Sequence, residues 1–135
     1  MRSTLAIALI ALAAAGAAKA ENWTKYVDGE NGTAWSYDAD YLYKDKATGR
    51  LVVLQAISKP AVKLGPSSPG KPDGVGNVMA LDCRKKNLIL LASYTPSQPL
   101  DIKKSWRSET PKRATGPENQ ALFTAVCAVE NVPAK

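Results

Sequence analysis

Between residues 22 and 95 most apolar positions follow a period of two, interrupted by clusters of turn-forming residues. This is the signature of a strand-and-turn domain. Asn22 to Val27 sets Trp23, Lys25 and Val27 against Asn22, Thr24 and Tyr26, which predicts a half-buried first strand. Asp28 to Gly32 are turn formers, and Asn31-Gly32 is a hairpin signal because both residues tolerate a left-handed backbone. Thr33 to Asp38 resumes as a second strand with Trp35 and Tyr37 on one face; Asp40 to Leu42 reads as a short bridge and Lys44 to Gly49 as a polar turn.

Arg50 to Ser58 breaks the alternation of polar and apolar faces. Leu51, Val53 and Ile57 lie on one side, and Val52, Leu54 and Ala56 on the other. A strand apolar on both faces belongs in the centre of a sheet covered on both faces. Lys59 to Asn77 follows with Pro60, Pro66, Pro69 and Pro72 and with Gly65, Gly70, Gly74 and Gly76, a composition that predicts a long irregular loop. Asn77 to Arg84 returns to strand character, with Met79, Leu81 and Cys83 on one face. Lys85 and Lys86 form a charged turn, and Leu88 to Thr95 is the partner strand, with Leu88, Leu90 and Tyr94 opposed to Ile89 and Leu91. Leu100 to Arg107 is expected to be a short edge strand carrying Ile102 and Trp106.

The period then changes. Gly116-Pro117 opens a helix, since proline suits the first helical position. Leu122, Phe123, Val126 and Cys127 recur on one helical face. The expectation is an α+β domain: an antiparallel meander of about five to six strands with a C-terminal helix packed on one face. One helix covers one face only. The second apolar face then needs the Lys59–Asn77 loop or a second copy of the chain, which predicts a homodimer, or a bound partner, through that face.

The segment before this domain reads as a signal peptide: Arg2, an apolar run from Leu5 to Ala14, and Ala18-Lys19-Ala20 as a cleavage site. The expected organisation is a leader over 1–20 and one domain over 21–135, exported to the periplasm or secreted, with no transmembrane segment once the leader is removed. Cys83 and Cys127 are the only cysteines. An even count in an exported chain, with both side chains directed at the helix–sheet interface, predicts a Cys83–Cys127 disulfide.

Charge adds a surface. The chain has 18 Lys+Arg against 12 Asp+Glu, a net +6 that falls to +4 without Arg2 and Lys19. This favours acidic partners such as anionic glycan or lipid headgroups. The basic residues are scattered along the sequence without interleaved aromatics, so no nucleic-acid partner is expected. Arg84, Lys85 and Lys86 with Lys103, Lys104, Trp106 and Arg107 are the candidate binding surface. The chain contains no histidine, and pairing of both cysteines removes any thiol nucleophile. No catalytic residue, cofactor or metal is therefore expected; Asp38 and Asp40 lack the further oxygens a metal site needs, and Asp38 is read as an acceptor of backbone hydrogen bonds at the turn.

Trp23, Tyr37-Asp38, Asp82-Cys83, Tyr94, Gly116-Pro117 and Val126-Cys127 together resemble the surface-adhesin protein E family of Gram-negative bacteria. The resemblance implies an antiparallel sheet with a C-terminal helix and one disulfide. It also implies, from a dimeric, lipid-anchored member of that family, contact with extracellular-matrix proteins. This chain has no cysteine at the cleavage point to accept a lipid. The expected function is a non-enzymatic, adhesin-like binding protein of the cell envelope, acting on an envelope or extracellular-matrix protein or an anionic glycan. The alternative is a periplasmic structural or accessory protein with no host ligand.

Overall fold

The computed structural model describes residues 22–58 and 74–135. The expected leader over 1–20 and most of the Lys59–Asn77 segment lie outside the described residues. Seven antiparallel strands form one sheet: β1 Trp23–Asp28, β2 Ala34–Asp38, β3 Tyr43–Lys44, β4 Leu51–Ile57, β5 Gly76–Asp82, β6 Asn87–Tyr94 and β7 Lys112–Arg113. One helix, α1 (Pro117–Cys127), packs on the sheet. The sheet order is β1-β2-β4-β5-β6-β7. β2 and β3 share one edge of β4: β2 pairs Trp35 with Ile57 at one end, and β3 pairs Lys44 with Leu51 at the other. The chain's last residues extend the outer side of β3, where Lys44 N–H donates to Pro133 O and Lys135 N–H to Lys44 O.

β4 is central for the reason its sequence gives. Every residue from Leu51 to Ala56 is buried, and each fully buried Val or Leu contributes about 1.5–3 kcal/mol. Leu51 and Val53 join Tyr37, Leu42, Met79 and Leu81 under Leu122, Phe123 and Val126 of α1. Val52, Leu54 and Ala56 join Val78, Ala80, Ile89 and Leu91 on the far face. The β4–β5 contact is close: a Cβ on Gly76 would stand 1.8 Å from Gln55 O, so only glycine fits there. The β1–β2 connection uses the expected Asn31-Gly32 pair, both left-handed, at φ 57° and 74°.

One expectation of strand facing is corrected by a β-bulge. In β6 the pairing shifts between Val78↔Ala92 and Met79↔Leu90, leaving Leu91 as the extra residue. Strict alternation puts Tyr94 with Leu88 and Leu90; the bulge turns Tyr94 over, and it joins Ile89, Leu91 and Ala92 in the far core. In β1 a similar shift between Lys25 and Val27 leaves Tyr26 unpaired, yet Trp23 and Tyr26 keep the opposite facing that alternation predicts, Tyr26 toward the helix and Trp23 on the other face.

A further correction concerns the far face. Leu100–Arg107 is not a strand. It is an irregular strap ending in a 3-10 turn at Trp106–Ser108, and the edge strand that does form is β7, at Lys112–Arg113. The strap runs across the face rather than along the edge. Lys103 N–H donates to Leu91 O at the bulge, and Trp106 is buried in the far core with Leu100 and Ile102 packed beside it. Trp23, Tyr41 and Tyr43 complete the cover. The face taken to require a loop or a second copy is therefore closed by this chain's own strap, and the argument for a dimer through a bare face loses its premise.

Candidate functional site

The register gathers charge that the sequence scatters. Leu51, Leu81 and Leu88 lie side by side in β4, β5 and β6, so the β3–β4 turn, the β5–β6 turn and β7 all emerge at one end of the sheet. That end carries Lys44, Lys46 and Arg50 from the first turn, Arg84, Lys85 and Lys86 from the second, and Lys112 and Arg113 from β7. Ala114 N–H donates to Lys86 O, which holds the last two groups together. Lys135 joins them at β3, its ammonium 5.0 Å from the centroid of the Tyr43 ring.

Two acids at this end, Asp82 and Asp45, are engaged in structure. Asp82 Oδ1 accepts the N–H groups of Arg84 and Lys85, both at 3.0 Å. These backbone bonds, the Lys85 one foremost, hold its carboxyl below the ordinary range. Lys86 completes the turn at φ 57°. Asp45, 1% exposed, accepts a fork from Arg107: Nη2 to Oδ1 at 2.6 Å and Nε to Oδ2 at 3.0 Å. Thr48 adds its hydroxyl at 2.7 Å and its N–H at 3.2 Å. Arg107, and secondarily Thr48, keep Asp45 ionised below the usual carboxylate range despite its burial.

This pair ties the strap to the β3–β4 turn and has a consequence in acid. A carboxyl depressed on folding contributes stability that is complete above its unfolded value, about 3.9, and is lost as pH falls through the folded value. Asp45→Asn is expected to lower the melting temperature at neutral pH and to flatten the fall between neutral pH and strong acid, because the variant has no proton to take up there. Asp82, likewise depressed, contributes to the fall that persists. A thermal melt series of both proteins against pH checks this; parallel curves would remove Asp45 from the acid limb.

The candidate surface divides in two. Arg84, Lys85 and Lys86 are exposed at the basic end. Trp106 is buried, with the Arg107 guanidinium 4.6 Å from its ring centroid and engaged with Asp45; both act within the fold. Lys103 pairs with Glu109 at 3.3 Å, and Lys104 is exposed on the same strap.

Between the β3–β4 turn, the β5–β6 turn and the residues after α1 lies an open cleft of about 610 Å³, lined by Lys44, Arg50, Arg84, Asp82, Leu51, the Cys83–Cys127 disulfide, Val129 and Val132 among others. Arg50 stretches across the end of the sheet, its Nη1 donating to Asn87 Oδ1 at 2.9 Å and Ala80 O at 3.4 Å. The sequence reading passed over Lys44, Arg50, Lys112 and Arg113. One signal was available: Asp45, Thr48 and Gly49 have the spacing of a side-chain-capped turn, which would have placed Lys44 and Arg50 next to each other at its base.

Elsewhere, Asp38 accepts the N–H groups of Asn22 at 3.0 Å and Asp40 at 2.9 Å, the turn role expected of it. Burial pushes the Tyr26 hydroxyl well above its ordinary range, offset in part by a hydrogen bond with Gln55. Gln55 Oε1 is buried with no partner among the described residues. Among those residues no cluster of three or more His, Cys, Asp or Glu side chains is placed to hold a metal, and no helix is long and apolar enough to cross a membrane. No family model, curated protein or solved structure matches the chain.

Proposed function

We propose that this protein is an exported, non-enzymatic binding protein of the Gram-negative cell envelope, and that it engages an anionic partner through the basic end of its sheet. The observation that carries the reading is the convergence of Lys44, Lys46, Arg50, Arg84, Lys85, Lys86, Lys112 and Arg113 at one end, where Asp45 and Asp82 are already engaged. A one-sign field of this kind speeds encounter with an acidic surface and falls with ionic strength. The Cys83–Cys127 bridge supports an oxidising compartment, and the resemblance in Trp23, Tyr37-Asp38 and Asp82-Cys83 supports an adhesin-like role on an envelope or extracellular-matrix protein or an anionic glycan. Self-association through the sheet finds no bare apolar face among the described residues, so partner contact is assigned to the basic end.

Retention on an immobilised carboxylated and sulfated polysaccharide tests the surface. Arg84→Glu/Lys85→Glu/Lys86→Glu is expected to elute at far lower salt than Lys103→Glu/Lys104→Glu/Lys25→Glu, which makes the same charge change away from that end. Equal losses would show a response to net charge alone, and absence of retention at physiological salt would overturn the reading. Protease treatment of intact cells separates surface display from the periplasmic accessory alternative.

A further inference from the structure

We infer that the cleft beside the disulfide is a binding site for an aliphatic carboxylate, the free C-terminal residue of a polypeptide being the source that fits it best. The inference rests on the proposed function only in taking the partner to be anionic. β3, β4 and β5 set Lys44, Arg50 and Arg84 in a row across the end of the sheet, and three adjacent strands span about 10 Å. The other side carries the apolar Val129, Val132 and Cys83–Cys127 bridge, with Asn131 among them. Val129 is 40% exposed, one of only three large apolar side chains so exposed among the described residues. An apolar rim facing a row of cations suits a ligand with one anionic head and a short aliphatic body.

Arg50 selects the head. Its Nη1 is anchored on Asn87 and Ala80, which fixes the guanidinium plane while leaving Nη2 and Nε outside those bonds. A fixed planar fork matches a carboxylate bidentately, whereas lysine offers only a point charge. Asp82, the acid in the lining, is already turned to the Arg84 and Lys85 amides, so it opposes an incoming anion less than an unengaged carboxylate would. The volume, about 610 Å³, falls within the range for small-molecule sites.

Amide NMR titration of the oxidised mature protein tests this with N-acetyl-leucine, N-acetyl-leucinamide, acetate and valerate. N-acetyl-leucine is expected to give saturable shifts at Gly49, Cys83, Val129 and Asn131. The amide, which lacks the charge, should be at least about tenfold weaker, since a charge-assisted bond contributes about 1.5–3 kcal/mol. Acetate, which lacks the aliphatic body, should also be weaker. Valerate binding as tightly as N-acetyl-leucine would keep the site but overturn the polypeptide source. Arg84→Gln, at an exposed position, and Arg50→Lys should each weaken N-acetyl-leucine, Arg50→Lys the more although it keeps the charge. Shifts absent from the cleft, or equal for acid and amide, overturn the inference. If the cleft stays silent while the polysaccharide is still retained, this inference fails and the proposed function stands; cleft binding without polymer retention gives the reverse.

Discussion

Trp106→Ala is expected to destabilise the protein by about 3–5 kcal/mol, the usual range for deleting a buried aromatic. Against a total of order 5–15 kcal/mol, this removes about a fifth or more of what holds the domain together. The large effect follows from position. Trp106 is 3% exposed and is the one residue of the strap fully within the far core, against Val52, Leu54, Ala80 and Ile89. The strap has no strand pairing of its own. It is held by Lys103 N–H on Leu91 O, by the Arg107 fork on Asp45, and by this ring. Losing the ring leaves a cavity under an element with little else to keep it closed, so water reaches the apolar backs of β4 and β5. Trp106→Phe retains most of the volume and should cost distinctly less. Urea unfolding of the three proteins measures the difference; a loss under about 1 kcal/mol for Trp106→Ala would show that the strap is an ornament on a self-sufficient sheet.

That prediction also marks where the sequence stops being readable. The central strand, the Asn31-Gly32 turn, the Pro117 helix start and the cysteine pairing were all legible, because each depends on a local rule: facing parity, left-handed tolerance, a missing N–H, an even thiol count. The strap was not. Ile102 and Trp106 are four apart and Leu100 and Ile102 two apart, so a short segment matches a strand as well as an irregular crossing. What decides is the Leu91 bulge, whose carbonyl points out to receive Lys103, and a bulge leaves no mark in the alternation until its partner strand is known. The same bulge reversed Tyr94.

The candidate site shows the complementary limit. Lys85-Lys86 is visible as a charge run, yet its neighbours in space, Lys44 and Arg50, lie some forty residues earlier and Lys112-Arg113 some thirty later. Strand order brings them together, and strand order is a product of pairing across the whole chain. Conversely Trp106 and Arg107, both placed in the candidate binding surface, serve the fold: the Trp106 ring is buried, and the half-exposed Arg107 guanidinium stacks on it and binds Asp45. A cation beside a tryptophan in sequence suits a ligand platform and a structural clasp equally; the buried Asp45, sixty-two residues away, determines which it is.

Removing the Cys83–Cys127 bridge is expected to be the other severe change. The cysteines are 44 residues apart with Cα atoms 5.9 Å apart, and the chain-entropy model gives about 4 kcal/mol for a loop of that length. The bridge joins the end of β5 to the last residue of α1. An eleven-residue helix is marginal alone, and α1 meets the sheet mainly through Leu122, Phe123 and Val126. Without the bridge its C-terminal turn is held mainly by Val126 and the partly buried Ala125, and the residues that follow, Val129 and Val132, lose one of their two anchors, the other being the pairing of Pro133 and Lys135 with Lys44. The Cys83→Ser/Cys127→Ser variant should therefore show two effects: a loss of unfolding free energy near the chain-entropy value, read as a lower urea midpoint, and faster hydrogen exchange in α1 than in β4 and β5. Oxidised protein serves as the reference, and protein reduced under native conditions should match the variant on both counts. If the helix amides keep their protection and the midpoint hardly moves, packing alone seats α1, and the bridge is dispensable to the fold and to the shape of the cleft it borders.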